Sequence, residues 1–359
     1  MTSLMASLDF RQYSLVVNFI VFFGGAGVVW LAGTRIARYA DAIAEITGIG
    51  RIAIGLLLLG GVTSLPEIAV AIFSAMSGNP VLSIDNLLGG VAMQKAILAG
   101  VDGFIGKDAL TVVAASPVML LQAALSILTL LLVAAAIVAG DILFMGVGFW
   151  AWAILGAYAF SAWKISGAQG RMPWIAENED GSPASASRDT EQNASSSGNY
   201  QNGGLIPTIV RTAVAAVIIL AAGFLLSQTG DAIAAQSGLG QSFVGAVLLS
   251  LATSLPELST VIASVRMRQY EMAISDILGT NLFNIAIIFL VDAVYAGKPV
   301  LNEVGSFSLF SALLGILLTT IYLIGLIERR NRTIGTMGVD SLAILACYGG
   351  GLVLLYQLR

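Results

Sequence analysis

Ten apolar runs of membrane-spanning length dominate this chain. They lie at roughly 15–33, 51–77, 81–105, 116–139 and 141–163, and resume at 207–227, 243–265, 271–295, 305–327 and 335–357. A helix needs about 20 apolar residues to cross the hydrocarbon core. Inside that core every backbone N–H and C=O must be paired within the protein, which leaves helices for runs of this kind. Composition agrees, since only 11% of residues are charged where soluble domains carry about 25%. The expected fold is an all-α membrane protein of ten transmembrane helices. The first run has no cleavage site before Arg35, so it reads as a span and not as a secretory leader. Ser116-Pro117 reads as an N-cap followed by proline in the first helical turn.

The stretch between the fifth and sixth runs is different in kind. Its SPASASRDTEQNASSSGNYQNGG is rich in Ser, Asn and Gly, a composition that cannot bury enough apolar surface to fold. Residues 166–206 are therefore expected to be a disordered linker, with one five-helix unit at 1–165 and another at 207–359. Asn193-Ala194-Ser195 matches a glycosylation sequon, which in such a tract reads as chance. Ten spans put both termini on one side. Arg11, Lys298 and Arg359 fall on that side. The other side holds Arg35, Arg38, Arg51, Lys107, Lys164, Arg171, Arg188, Arg211, Arg266, Arg268, Arg329, Arg330 and Arg332. By the positive-inside rule the linker faces the cytoplasm and both termini face out of a plasma (inner) membrane.

Several functions are excluded early. The chain has no histidine, which removes His-ligated zinc and every triad that uses His. A net charge of −4 gives no footing for nucleic acid. Cys347 is the single cysteine, so no intrachain disulfide can form. It reads as a small apolar residue in a late span.

The chain repeats itself at an offset of 190. DAIAEITGIGRIAIGLLLLGGVTSLPE (41–67) aligns without a gap on DAIAAQSGLGQSFVGAVLLSLATSLPE (231–257), with 14 of 27 positions identical. Five spans per half is an odd number, so the second half enters the membrane from the opposite face. The halves are expected to be inverted repeats, with a binding site near the midplane on interrupted helices of both.

The repeated TSLPE, at 63–67 and 253–257, carries the chemistry. Pro66 and Pro256 have no N–H and clash with the preceding turn, so each breaks its helix and frees carbonyls near Val62–Thr63 and Ala252–Thr253. Such backbone is tolerated at membrane depth only beside protein or a wet cavity. Glu67 and Glu257 follow the prolines directly. A charged carboxylate at the bilayer centre costs at least about 2.5–3.5 kcal/mol, so two at equivalent places require a partner. Carboxylates, carbonyls and threonine hydroxyls are the hard oxygen set that suits Ca²⁺. In the next span SIDNLLGGVAMQ (83–94) aligns on AISDILGTNLFN (273–284), pairing Asn86 with Asp276 and Gly90 with Thr280. Gly89 and Gly279 allow close helix approach. Asp276 is a third intramembrane acid, while Asp85 reads as interfacial, nearer the helix end.

These residues resemble the Ca²⁺/cation antiporter superfamily, and within it the sodium/calcium exchanger family of bacterial and archaeal type. That family carries two repeats of the form G-T-S-x-P-E followed by G-N-x-x-G-S-N-x-F-N. Here they read GVTSLPE with DNLLGGVAMQ, and LATSLPE with SDILGTNLFN. The resemblance implies a Ca²⁺ site made by Glu67 and Glu257, the Thr63 and Thr253 carbonyls, and Asn86 and Asp276. It implies no cofactor and no enzyme activity. The implied function is alternating-access exchange of Ca²⁺ for Na⁺. An H⁺- or K⁺-linked antiporter and a degenerate, non-transporting homologue are the alternatives. The partners are then Ca²⁺, Na⁺ or H⁺, and the lipid bilayer. The first repeat departs from the pattern. Ser-Asn is replaced by Gly90-Val91, Phe-Asn by Met93-Gln94, and Lys95 follows inside the span. Lys95 reads as a snorkelling or salt-bridged residue away from the ions; pointing inward, it would instead fill a monovalent site with a fixed charge.

Overall fold

The computed structural model describes residues 9–47, 60–104, 109–113, 116–168, 204–328 and 333–359. The start of the second expected span, residues 169–203 of the linker and its sequon lie outside the described residues; the ends of the expected linker, 166–168 and 205–206, are helical, because the flanking helices run on into them. The principal helices are α1 (Leu15–Thr47), α2 (Leu65–Met76), α3 (Pro80–Asp102), α4 (Pro117–Ala139), α5 (Phe149–Ala168), α6 (Leu205–Ser237), α7 (Leu255–Arg266), α8 (Tyr270–Val294), α9 (Ser306–Glu328) and α10 (Val339–Leu358). Two short hairpins, β1 (Leu143–Phe144) with β2 (Val147–Gly148) and β3 (Thr333–Ile334) with β4 (Met337–Gly338), precede α5 and α10.

Among the described residues seven of these helices are long and apolar enough to cross a membrane. The bent pair of 241–253 with α7, angled by 45°, makes eight. The chain is thus a multi-pass helical membrane protein. Helix α5 falls outside that number because three tryptophans, a tyrosine and Lys164 dilute its apolar character. Of α2 and the turn before it, only 60–76 is described. Some expected boundaries also move. Helices α1 and α6 run on to Thr47 and Ser237, 14 and 10 residues beyond the apolar runs 15–33 and 207–227, because their polar tails remain helical. The fifth and tenth runs begin as hairpins and become helical only at Phe149 and Val339. Ser116 has extended N-cap geometry but makes no side-chain capping bond.

The elements recur at the offset seen in the sequence. Helices α1 and α6 each have 33 residues and start 190 residues apart. The same offset relates α2 to α7, α5 to α10 and the two hairpins. The equivalent helices α1 and α6 lie side by side and antiparallel. Arg11 and Asp231 pair at one end at 2.8 Å, and Asn18 donates to Gln236 at 3.0 Å. Further along, Ala32 and Ile36 pack on Ala215 and Ile219.

Helix α3 is the most enclosed, with 89% of its apolar window buried against 22% for α10. Small residues let its neighbours close in. Gly89 leaves no room for a Cβ against the Ala246 backbone, and a Cβ on Gly245 would lie 2.8 Å from the Leu82 carbonyl oxygen. Two aspartates fasten one half to the other. Asp102 accepts from Leu110 N in its own half at 2.6 Å and from Gly338 N in the other at 2.7 Å. Its equivalent Asp292 accepts from Val300 N at 2.5 Å and from Gly148 N across the halves.

Candidate functional site

Each TSLPE motif interrupts its helix at the serine. Ser64 has ψ 8° and Ser254 ψ 5°, far from the helical value of about −42°. The proline that follows, second residue of α2 or α7, can start a helix but not continue one. Glu67 and Glu257 thereby become the third residues of new helices, where unpaired N–H groups and the helix dipole favour an anion. Each break is backed by the long helix of the opposite half. A Cβ on Gly33 of α1 would sit 2.5 Å from Pro256 Cγ, and the equivalent Gly223 of α6 has no room for one against Ala69. Just ahead of the second break, Val244–Leu249 winds as π-helix, a form often found at functional sites.

The structure brings Glu67, Glu257, Thr63, Thr253 and Asn86 into the interior, each no more than 1% exposed. Glu67 and Glu257 lie close enough to interact electrostatically, and Asp276 also acts on Glu257. The Thr253 side chain lies beside the Glu67 carboxyl. Yet no group stands in hydrogen-bonding geometry on any of the four glutamate oxygens. The same is true of the Asn86, Gln94, Asn281 and Asn284 amides and of the Thr280 hydroxyl, all buried. Buried polar groups are nearly always paired, and an unpaired one costs several kcal/mol in an apolar medium. So many on α2, α3, α7 and α8 together mark a place built for something else to bind. Two carboxylates balance one divalent cation, and amide and carbonyl oxygens can complete the 6–8 contacts that Ca²⁺ takes.

Two sequence expectations change, those for Asp85 and Lys95. Asp276 acts electrostatically on Glu257, though among the described residues no three acids form a metal-holding group. It is half-buried, and its carboxylate accepts from Thr260 Oγ1 at 2.7 Å. Asp85 is not interfacial but fully buried, accepting from Ser308 Oγ at 2.6 Å. Lys95 neither snorkels nor pairs; its Nζ is buried with no partner. Nine residues of helix separate it from Asn86, a rotation of about 180° and a rise of roughly 14 Å. Lys95 therefore faces away from the Asn86 side and does not supply a charge to the ion site. Sequence reading also missed Gln122, Ser126 and Ser311, buried polar residues of α4 and α9 that each have an unpaired side-chain atom. Their signal was faint, because each is one of several uncharged polar residues scattered along an apolar helix.

A pair of buried carboxylates on two broken helices, inside a multi-pass helical scaffold, defines a membrane cation transporter. The chain belongs to the sodium/calcium exchanger protein family, whose sequence model matches residues 17–165 and 208–357. It thus falls in the Ca²⁺/cation antiporter superfamily. It is 25% identical over 336 residues to CaxA of Alkalimonas amylolytica, a protein named as an antiporter, covering 89% of this chain and 94% of that one. It is 31% identical over 88 residues to the inner membrane protein YrbG of Escherichia coli K12, covering 24% and 27% of the two chains. The crystal structure of the H⁺/Ca²⁺ exchanger CAX superposes with a TM-score of 0.68 at 15% identity, over 99% of this chain and 88% of that one. The sodium-calcium exchanger NCX_Mj superposes with a TM-score of 0.58 at 16% identity, over 95% and 99%.

Proposed function

We propose that this protein is a secondary antiporter exchanging Ca²⁺ for Na⁺ across the plasma membrane by alternating access. Its ten spans form two inverted five-helix halves, with termini outside and linker in the cytoplasm. The observation that carries the reading is the facing pair Glu67 and Glu257, buried, without hydrogen-bond partners, and contributed by equivalent breaks in the two halves. The antiparallel packing of α1 on α6 supports inversion, since a two-fold relation across the helix axis reverses one helix against its equivalent. The crossed clips support it too, because the Asp102 and Asp292 ends of α3 and α8 reach opposite hairpins.

Ca²⁺ is held between Glu67 and Glu257, with the Thr63 and Thr253 carbonyls, Asn86 and Asp276 as the remaining ligands. A cleft of about 760 Å³ lies between α3 and α7, lined by Ile97, Val101, Leu258, Ile262, Arg266 and Tyr270 and by none of the proposed ligands. Na⁺ is favoured as counter-ion by the TSLPE form of the motif. H⁺ is the second reading, favoured by the loss of the Ser and Asn side-chain oxygens at Gly90 and Val91 in the first repeat, which leaves fewer ligands for Na⁺.

The test is Ca²⁺ uptake into proteoliposomes driven by an outward Na⁺ gradient. Glu67→Gln and Glu257→Gln should each cut it by more than about tenfold, the scale of even an outer-shell loss at a metal site, with insertion and elution unchanged. Normal flux in either variant removes that residue from the site. Uptake driven by a pH gradient but not by Na⁺ selects the H⁺ reading.

A further inference from the structure

Asp85 has no role in the site described so far. Its carboxyl is fully buried on α3. Oδ1 accepts from Ser308 Oγ of α9 at 2.6 Å, and the Ser242 side chain lies beside the same carboxyl. Oδ2 is buried with no hydrogen-bond partner. Among the described residues the one ion pair is Arg11 with Asp231, so no basic side chain neutralises Asp85. The group is hemmed in, since a Cβ on Gly245 of the π-helical turn would lie 3.3 Å from Asp85 Cβ.

The fold does not require an acid here. The equivalent residue of the other half, 190 positions on, is Ser275, which is half-buried; α9 starts 189 residues after α4, so Met119 stands where Ser308 does. An acid present in one half only and buried at membrane depth calls for a partner. Asp85 also stands at the inner end of a polar chain that starts near the surface. Asp231, paired with Arg11, accepts from Gln241 Nε2 at 2.8 Å, and Gln241 also donates to Asn79 Oδ1 at 2.8 Å. Ser242 follows Gln241, and Asn86 follows Asp85.

We propose that Asp85, with the Ser308 and Ser242 hydroxyl oxygens, holds one Na⁺ between the Arg11–Asp231 end of the protein and the Glu67–Glu257 pair. One carboxylate among neutral hydroxyls is balanced by a monovalent cation, whereas a divalent ion would leave a net positive charge buried. As a place for the coupling ion, the site rests on the exchange reading; as a Na⁺ site, it is testable without it.

Two measurements decide. The first is ²²Na⁺ binding to the purified protein without Ca²⁺. The second is ⁴⁵Ca²⁺/Ca²⁺ exchange in proteoliposomes without Na⁺. Asp85→Asn should lose one bound Na⁺ per chain while Ca²⁺/Ca²⁺ exchange stays within about twofold of wild type. Ser308→Ala, losing one ligand worth about 1 kcal/mol, should weaken that Na⁺ by about fivefold. Unchanged Na⁺ stoichiometry in Asp85→Asn overturns the proposal, as does loss of Ca²⁺/Ca²⁺ exchange in a variant that elutes normally, which would move Asp85 into the Ca²⁺ site. If Asp85→Asn does not fold, unchanged Na⁺ affinity in Ser308→Ala overturns it. A wild type that exchanges no Ca²⁺ yet binds Na⁺ through Asp85 would sink the exchange reading and leave this one standing.

Discussion

At the scale of single residues, the telling contrast on α3 is between Asn86 and Lys95. Both are polar and both are buried, but helix geometry sets them on opposite faces. A buried ammonium with no partner is a cost to folding, and the insertion scale puts lysine at the bilayer centre at roughly 2.5–3.5 kcal/mol. Lys95→Met should therefore raise stability by about 2–3 kcal/mol and leave the Na⁺ and voltage dependence of Ca²⁺ uptake unchanged. Thermal unfolding in detergent beside proteoliposome flux measures both; lost coupling in Lys95→Met would return Lys95 to the ion path. The two glutamates were legible in the sequence because proline and an acid recur in register, and both the break and the charge have few bland explanations at membrane depth. Lys95 and Asp85 were misread for one reason. Exposure depends on which neighbours cover a helix face, and a single sequence does not order its helices around one another.

At the scale of elements, proline placed the helix breaks to within a residue, and the repeat offset of 190 paired each helix with its equivalent except α4 and α9, which start 189 residues apart. The hairpins ahead of α5 and α10 were not legible. Their residues are as apolar as the spans they precede, and Gly146 and Gly335, both with positive φ, are single turn signals within apolar runs. The first hairpin is held by an acid outside the spans. Asp141 Oδ1 accepts from Ile142 N at 2.8 Å and from Trp150 N at 3.1 Å. Burial, seconded by the nearby Asp292 charge, pushes this carboxyl above the usual carboxylate range. A carboxyl whose folded pKa is raised favours the folded state in its protonated form, and that contribution fades as pH climbs through the folded value. Asp141→Asn keeps the Oδ1 acceptor and removes the charge. It should be more stable than wild type at pH 8, and the gap should close as pH falls through the carboxylate range. Melting curves across pH check this, and a gap that widens on acidification would show that the carboxylate itself holds the hairpin.

At the scale of the whole molecule, inversion and orientation make one joint prediction. A cysteine at Ser195 should react only from the cytoplasm and a tag after Arg359 only from outside; labelling of both from one side would refute the ten-span inverted arrangement. The count of basic residues carries the orientation expectation because it sums over every loop, whereas coupling depends on a few oxygens that a sequence pattern does not place. There the two halves are unequal in a way the structure sharpens. Thr280 in the second half presents a buried, unpaired hydroxyl, while its equivalent Gly90 is bare, and a Cβ built there meets nothing within 4 Å. The first half thus has room for a serine at this position. Val91 has no such room to spare, since its Cγ1 packs against Gly315 beside Leu130. Gly90→Ser alone should therefore restore an oxygen ligand without a clash. One added ligand, worth about 1 kcal/mol, should lower the half-maximal Na⁺ for Ca²⁺ uptake by about fivefold. If it completes a further monovalent site, Na⁺ dependence becomes steeper and more net charge moves per cycle. The measurement is Na⁺-driven Ca²⁺ uptake in proteoliposomes at several clamped potentials, for wild type and Gly90→Ser. Identical Na⁺ and voltage dependence in the two would mean that Gly90 lies off the ion path and that the unequal halves do not set the coupling.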